Sequence, residues 1–431
     1  MVAISRSRVV SAAIVASLAL PACGGQAEQN PRGVRSIGGS GSSATPPGTG
    51  GEAGGSTSGG GARPQAGSAS TPSTEPGGSP MAGGGEQGGA AMAGDAGSAG
   101  GGDPSEGGAG GEPPVINCDP IVFEDPELEA TVRAELQKPS GALSSKDVVA
   151  LQVLVTPTIT SLKGVECLTA LTSLDIGSLP AGSVSDLSPL ATLTQLEDIS
   201  LIRNPIASLE PLGKLPKLTQ IFMSLIPREL DLTPLASAPQ LAYLDIEHDT
   251  IKTLAPLGSV TTLRTIRFRN GKLSEPSGVA ALNSLEDLDA TGVFSDATPL
   301  AGLTNLKKLR IGQKPLSNFS SLQGLVNLAL LDVSGTGIGD LGPVANMPKL
   351  VDLYAPQNQI SDASPLAGLT QLNIVDLIAN QLTNLSPLAA NDALATGDFV
   401  FVEQNQLACA AQATNIQTMR SRGVSVSSDC P

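Results

Sequence analysis

The side chains that most often carry out chemistry in proteins are scarce in this chain of 431 residues. It contains a single histidine, His248, which leaves little for Ser-His or Cys-His catalytic arrangements. The neighbouring carboxylates Glu286 and Asp287 would project to opposite faces of a strand. The glycine-rich run at 335–339 lacks the Lys-Ser/Thr pair that completes a phosphate-binding loop, so turn glycines explain it better. The sequence therefore predicts no catalytic residues, no cofactor and no enzyme activity.

The five cysteines are the other reactive residues, and their positions separate them into three groups. Cys23 follows the N-terminal leader, Cys118 and Cys167 open the leucine-rich part, and Cys409 and Cys430 close it. In an oxidising compartment the last four can pair as Cys118 with Cys167 and Cys409 with Cys430, so that each pair clamps one end of the folded part. The alternative is a four-cysteine metal site, but the sequence has no Cys-x-x-Cys spacing. We predict two disulfides and no metal.

Residues 1–23 have the features of a secretion signal. Arg6 and Arg8 precede a short apolar run, which is too short to cross a membrane as a helix. Its ending, Leu-Pro-Ala-Cys, resembles the lipobox of bacterial lipoproteins, although Pro21 departs from the usual small residue. The resemblance implies a diacylglycerol on Cys23 and a protein held at the outer membrane or cell surface. The alternative is an ordinary signal peptide with an incidental cysteine.

Residues 24–114 are rich in Gly, Ser, Ala and Pro and have very few large apolar side chains. Such a segment cannot bury enough surface to offset the entropy of ordering, so we expect a disordered tether with an end-to-end distance of roughly 50 Å. The remaining residues, 115–431, carry 20 Lys or Arg against 32 Asp or Glu, a net charge of −12. This balance argues against nucleic acid and anionic lipid as partners.

The leucine-rich part is built from an internal repeat. The phrase Ser-Pro-Leu-Ala-x-Leu recurs at steps of 21 to 23 residues, after an earlier copy that ends at Val165 and a degenerate unit that begins near Leu151. Its first leucine position is filled in turn by Leu190, Leu212, Leu235, Leu257, Val279, Leu300, Leu322, Val344, Leu366 and Leu388. Such regularity predicts a solenoid in which each unit buries its apolar row against its neighbours.

Within a unit the apolar residues keep a fixed order, as in Leu372-x-x-Val375-x-Leu377-x-x-Asn380. Val375 and Leu377 would face the interior of a short strand, and Asp376 between them would face outward. The asparagine can satisfy backbone groups left open where the chain turns, and Asn204, Asn358 and Asn405 fill the same position. Other units place Asp249, Gly271, Lys314 or Thr336 there.

The 22-residue unit resembles the leucine-rich repeats of internalins over residues 151 to about 407. The resemblance implies an α/β solenoid, a right-handed superhelix with a parallel β-sheet on its concave face and short 3₁₀ or helical turns on its convex face. A helical N-terminal cap over 115–150 is typical of that family, and Asp125-Pro126-Glu127 is a suitable helix start. Residues 408–431 would form a disulfide-closed C-terminal cap, because the last apolar layer needs a cover.

The outward-facing positions of the strands are the predicted interaction surface. The central column would read Asp175, Ser200, Phe222, Asp245, Arg267, Asp289, Arg310, Asp332, Tyr354, Asp376 and Phe401. Between Asp245 and Asp332 the signs alternate, which predicts a ladder of charges across neighbouring strands. Exposed aromatic and basic side chains are favoured in protein interfaces. The candidate protein-binding residues are therefore Phe222, Tyr243, His248, Arg264, Arg267, Arg269, Lys307, Lys308, Arg310 and Tyr354, with Leu225 beside the first aromatic group.

These features lead to a first hypothesis of a monomeric, lipid-anchored surface protein that binds a protein partner in adhesion or recognition. The second hypothesis is a structural component of the cell envelope whose repeats only pack. A hydrolase comes third, since it has the least support among the residues.

Overall fold

The computed structural model describes residues 117–156, 158–177 and 183–431. The expected signal peptide with Cys23 and the tether over 24–114 lie outside the described residues. Within these ranges, no helix has both the length and the apolar character needed to cross a membrane.

One parallel sheet of thirteen strands runs through the described chain, which confirms the predicted solenoid. Its neighbours pair in order and in an unbroken register, each strand contributing three residues. The strands are β1 (Val153–Val155), β2 (Ser173–Asp175), β3 (Asp198–Ser200), β4 (Gln220–Phe222), β6 (Tyr243–Asp245), β8 (Thr265–Arg267), β10 (Asp287–Asp289), β11 (Lys308–Arg310), β12 (Leu330–Asp332), β13 (Asp352–Tyr354), β14 (Ile374–Asp376), β15 (Phe399–Phe401) and β16 (Ser425–Ser427).

A second, three-stranded parallel sheet was not predicted. It consists of β5 (Glu229–Leu230), β7 (Thr250–Thr253) and β9 (Lys272–Glu275), in that order. These segments follow the turn that ends the main strands of three consecutive units. In the other described units the equivalent segments form no strands and pair only through an isolated parallel bridge between Asp296 and Ser317, so the repeat pattern alone did not distinguish them.

The segments that return the chain on the other side of each unit are short helices, which we call the back turns. Pro occupies the first or second position of most of them, where its fixed φ suits a first helical turn. The α-helices are α1 (Pro126–Glu135), α2 (Ser145–Val148), α3 (Glu210–Gly213), α4 (Ser386–Ala390) and α5 (Cys409–Ser421). The 3₁₀ turns are Val165–Cys167, Ser188–Thr192, Thr233–Ser237, Ala255–Ser259, Pro276–Ala281, Thr298–Leu300, Phe319–Gly324, Gly342–Asn346 and Ser364–Leu366.

The core is a continuous stack of the repeated leucine positions. The middle residue of each main strand points inward, and Leu244, Ile266 and Leu288 are fully buried. The first leucine of each back turn meets them from the other side, as Leu257 does. Each unit thus shares one interior with its two neighbours, as the repeat predicts.

Buried asparagines hold the turn at the end of the main strands. The side-chain amide of Asn380 donates to the carbonyl oxygens of Ala355 (2.9 Å), Leu377 (3.0 Å) and Ile378 (3.3 Å), and its oxygen accepts from the backbone N–H of Ile360 (3.0 Å). The equivalent asparagines, Asn204, Asn358 and Asn405, donate in the same way. This is the role that the sequence predicts for them.

Both ends of the solenoid carry a cap. At the N-terminus, one carboxylate oxygen of Asp125 accepts from the first turn of α1, and the other accepts from Thr160 N–H (2.6 Å) in the first unit. Cys118 and Cys167 form a disulfide there. At the C-terminus, α5 and β16 follow the last unit and Cys409 is bonded to Cys430. The helical N-terminal cap and the disulfide-closed C-terminal cap are both as predicted.

Candidate functional site: the outward face of the sheet

The outward side of the thirteen-stranded sheet, here called the strand face, presents three columns of side chains. The first and third residues of each strand form the first and second columns, and the residue two positions after the strand forms the third. In β8 these are Thr265, Arg267 and Arg269, and the register places each directly beside its counterpart in the next strand. The predicted central column is therefore the second column of the structure.

The charges in the middle of the strand face pair in a different pattern from the predicted ladder. Arg269, in the third column, contacts Glu247 at 2.5 Å and Asp289 at 3.6 Å, and Arg310 contacts Asp287 at 3.2 Å. Asp245 instead accepts from the Ser224 hydroxyl at 2.8 Å. The prediction of a ladder of ion pairs within the central column is wrong. Arg269 pairs with Glu247 inside the third column and reaches Asp289 in the second, and Arg310 reaches Asp287 in the first.

Arg267 has a different environment. Its guanidinium carbon lies 5.9 Å from the centre of the Tyr243 ring, within the range of a cation–π contact, and it forms no ion pair among the described residues. Among the arginines of the strand face it is therefore the one with the least internal compensation.

Three further basic candidates lie toward one edge of the strand face. Lys307 and Arg264 precede their strands and flank Glu286, at 2.6 Å and 3.6 Å respectively. Lys308 is exposed in the first column. These side chains are accessible, and the first two already share one carboxylate.

The first predicted aromatic group does not form as expected. Phe222 lies on the strand face but is only 4% exposed, because it is covered by Tyr243, whose ring centre is 5.2 Å away, and by Ile202. His248 and Leu225 lie at the turns after their strands, where both adopt a left-handed backbone. Phe222 is thus a packing residue and His248 is exposed away from the columns, so the grouping of these residues in one binding site is wrong.

The last rows of the strand face carry a surface that the sequence reasoning did not single out. Phe399, 40% exposed, stacks on Phe401 with ring centres 6.2 Å apart and planes inclined by 4°. Tyr354, which was predicted as an isolated candidate, lies two rows away with Asp376 between them. The signal in the sequence was the first column, where Ile374 and Phe399 are neighbouring apolar residues at outward positions.

The carboxylates of these rows outnumber the cations near them: Arg310 lies beside Asp332 in the register, and the charge of Lys308 lowers the pKa of Asp352. Asp332, Asp352, Asp376 and Glu403 form no ion pair among the described residues. Burial raises the pKa of Asp376, and the negative charges of Glu403 and Asp332 raise it further. Burial also raises the pKa of Asp352. The strand face therefore changes from a middle with ion pairs to an acidic end without them.

Solved structures with the same architecture relate the chain to known proteins. An internalin from Listeria monocytogenes aligns with 72% of this chain and 97% of its own, at 27% sequence identity and a TM-score of 0.58. A leucine-rich-repeat protein from Leptospira interrogans aligns with 63% of this chain and 76% of its own, at 17% identity and a TM-score of 0.50. This chain has an internalin-like leucine-rich-repeat fold. No protein-family model and no curated protein sequence matches it.

A cleft of about 1000 Å³ in this internalin-like solenoid lies between the N-terminal cap and the first units, away from the strand face. Its acidic groups are occupied by nearby donors. Glu124 accepts from the Ser161 hydroxyl at 2.9 Å, and Glu166 accepts from the Gly164 N–H at 2.6 Å. In the part of the chain that the structure describes, no group of three or more His, Cys, Asp or Glu is placed to hold a metal ion. The strand face is the stronger candidate site.

Proposed function

We propose that this protein is a lipid-anchored surface protein that binds another protein through its strand face. One observation carries the proposal. The second column of the strand face is an unbroken run of aromatic and charged side chains from Phe222 to Phe401, and those of its last rows stay half-buried without ion pairs among the described residues. A surface that served only to cover the core would not need this combination of aromatic rings and charges without ion pairs.

The internalin-like fold supports the proposal, because it leaves a broad sheet surface free while the short helices close the other side. The lipobox-like ending at Cys23 and the Gly-rich segment after it complete the proposal. Diacylglycerol on Cys23 would attach the protein to a bacterial membrane, and residues 24–114 would hold the repeats away from it.

A site-specific photocrosslinker tests the binding function on living cells. Benzoylphenylalanine at Lys308, exposed in the first column, should capture a discrete protein partner. The matched control is the same group at Val326, which is 43% exposed and follows a back turn, and it should capture none of that partner. Identical capture from both positions, or none from either, would contradict the proposal.

The lipid anchor has its own test. Cys23→Ala should move the protein from the membrane fraction to the medium or periplasm, and metabolic labelling with a fatty acid should mark the parent chain and not the variant. Persistent membrane association and unchanged labelling of the variant would show that the anchor is elsewhere.

A structural role in the cell envelope is the second candidate. The ion pairs of the middle rows and the covered Phe222 favour it, because that part of the strand face satisfies itself without a ligand. The crosslinking experiment separates the two functions, since a purely structural protein would give no discrete partner from Lys308.

A further inference from the structure

The end of the strand face has an unusual composition over four consecutive strands, β12 to β15. Its twelve outward positions contain four carboxylates, three aromatic rings and no Lys or Arg. We call this surface the acidic aromatic patch. By column, its residues are Leu330, Asp352, Ile374 and Phe399, then Asp332, Tyr354, Asp376 and Phe401, then Ser334, Pro356, Ile378 and Glu403.

Three of the four carboxylates of the patch accept hydrogen bonds, and none of the four forms an ion pair among the described residues. Asp332 accepts from the Ser334 N–H at 2.9 Å, and Asp376 accepts from the Ile378 N–H at 3.1 Å. One oxygen of Glu403 accepts from the Ser427 hydroxyl, while the other is buried without any hydrogen-bond partner among the described residues. A half-buried carboxylate without an ion pair is costly to hold, so the patch would gain from a positive ligand.

The aromatic rings determine what kind of cation fits. In the second column Tyr354 separates Asp332 from Asp376, and the paired rings of Phe401 and Phe399 follow. A guanidinium or ammonium group placed beside either aspartate would also lie close to the Tyr354 ring, where a cation–π contact adds to the charge pairing. The flat surface of the two phenylalanines can take an apolar side chain or a proline ring.

The spacing of the column indicates the conformation of the ligand. Asp332 and Asp376 lie two strands apart, about 9.6 Å at the usual strand spacing. In a polyproline II segment, side chains three residues apart point the same way and are separated by roughly 9.3 Å. A segment crossing the strands in that conformation would place one cation at each aspartate.

Building on the proposed protein-binding function, we infer that the acidic aromatic patch binds an extended, cationic segment of the partner protein. The segment is in polyproline II conformation and carries Arg or Lys at every third position, with apolar residues or proline between them. The cations contact Asp332 and Asp376, and the intervening residues lie on Tyr354 and the two phenylalanines.

Fluorescence anisotropy with defined peptides tests this inference on the full-length chain. The probe is a fluorescein-labelled peptide of three Arg-Pro-Pro units. The matched peptide has the same composition, with its three arginines adjacent and followed by six prolines. We expect saturable binding of the spaced peptide and affinity lower by about tenfold for the clustered one, because only the spaced peptide matches both aspartates. Equal affinities, or no binding by either, would overturn the inference.

Two double variants locate the site. Asp332→Asn with Asp376→Asn should weaken the spaced peptide by about tenfold, since both charge contacts are lost. Asp287→Asn with Asp289→Asn removes the same charge from the paired middle rows and should change affinity by less than about twofold. Thermal unfolding of each variant checks that the fold is kept. Similar weakening by both pairs would mean nonspecific attraction and would overturn the inference.

The same assay distinguishes the other possible occupants of the acidic aromatic patch. If Arg32→Gln with Arg35→Gln tightened peptide binding several-fold, this chain's own N-terminal segment would be the resident occupant of the patch, and the assignment to a partner protein would be overturned. Capture of a partner from Lys308 together with failure of the peptide assay would leave the proposed function intact and remove only this inference.

Discussion

Asp249 occupies the position at which other units place a buried asparagine. It is fully buried, and one of its oxygens accepts from the Ile226 N–H at 2.7 Å while the other has no partner among the described residues. In the equivalent units the second polar atom of the side chain is an amide nitrogen. In Asn380 it donates to three carbonyl oxygens. A protonated carboxyl can donate there, whereas a carboxylate cannot. Burial, together with the negative charge of Asp245, raises the pKa of Asp249 to about 8.

The raised pKa makes Asp249 a source of pH-dependent stability. In the unfolded chain this group ionises near pH 4, whereas in the folded chain it keeps its proton until about pH 8. Unfolding between these values releases a proton, so the contribution of Asp249 to stability falls as the pH rises from 4 to 8 and is constant above that. We expect Asp249→Asn, which does not titrate, to be more stable than the parent chain by about 2 kcal/mol or more at pH 7.5. The gain should shrink toward pH 4.

Urea unfolding of both proteins at pH 4, 6 and 8 measures this difference. The reverse exchange, Asn380→Asp, is the matched control and should destabilise the protein increasingly over the same range. A gain for Asp249→Asn that did not vary with pH would show that the folded protein ionises this carboxyl normally.

At the scale of residues, the sequence predicted which residues lie side by side better than it predicted what each side chain contacts. The order of the repeat placed Arg267 beside Asp245 and Asp289, and the observed register agrees. It did not predict that Phe222 would be covered by Tyr243, or that Arg269 would form the ion pairs with the neighbouring carboxylates. Such outcomes depend on side-chain conformations that neighbouring units choose together, and one repeat does not contain that information.

At the scale of elements, the back turns of neighbouring units approach closely. Gly213 ends α3, and a methyl group added to it would lie 2.0 Å from the carbonyl oxygen of Pro234 in the next turn. Backbone cannot move aside as a flexible side chain can, so the spacing of these two elements requires glycine there.

We expect Gly213→Ala to lower the free energy of unfolding by about 1–3 kcal/mol through this overlap. The control is Gly302→Ala on another back turn, where no atom lies within 4 Å of the added methyl group. That variant should be neutral or slightly stabilising, since alanine restricts the unfolded chain. Thermal unfolding followed by circular dichroism compares them, and equal midpoints would mean that the turns separate without cost.

The strands also show which features a repeat pattern can predict and which it cannot. The leucine spacing predicted the main strands and the alternation of their side chains, because burial on one face fixes both. The pairing of β5, β7 and β9 was missed, since Thr250–Thr253 and Lys272–Glu275 differ little from the unpaired segments of other units. The acidic aromatic patch was missed for a related reason. The sequence analysis placed Phe401 in the central column and did not consider Phe399, and only the structure shows that the two rings stack.

At the scale of the whole molecule, each unit contacts chiefly the units before and after it. The effect of a local change should then stay local, because no long-range packing spreads it. The C-terminal cap is the place to observe this. Its helix buries Ile416 and Met419, and the Cys409–Cys430 disulfide closes the cap with a separation of 21 residues.

Replacing both of these cysteines by serine should release the cap and expose the edge of β15, with Val400 and Val402 behind it. The chain-entropy model gives a loss of about 3 kcal/mol, confined to the cap and the last one or two units. Hydrogen exchange should therefore rise over residues 374–427 and stay unchanged before residue 330. The matched variant, Cys118→Ser with Cys167→Ser, should raise exchange only near the N-terminal cap, where the Asp125–Thr160 hydrogen bonds still hold α1. A uniform rise along the chain in either variant would mean that the repeats unfold as one cooperative body, and the uncovered end of the sheet would then not be a separate unit.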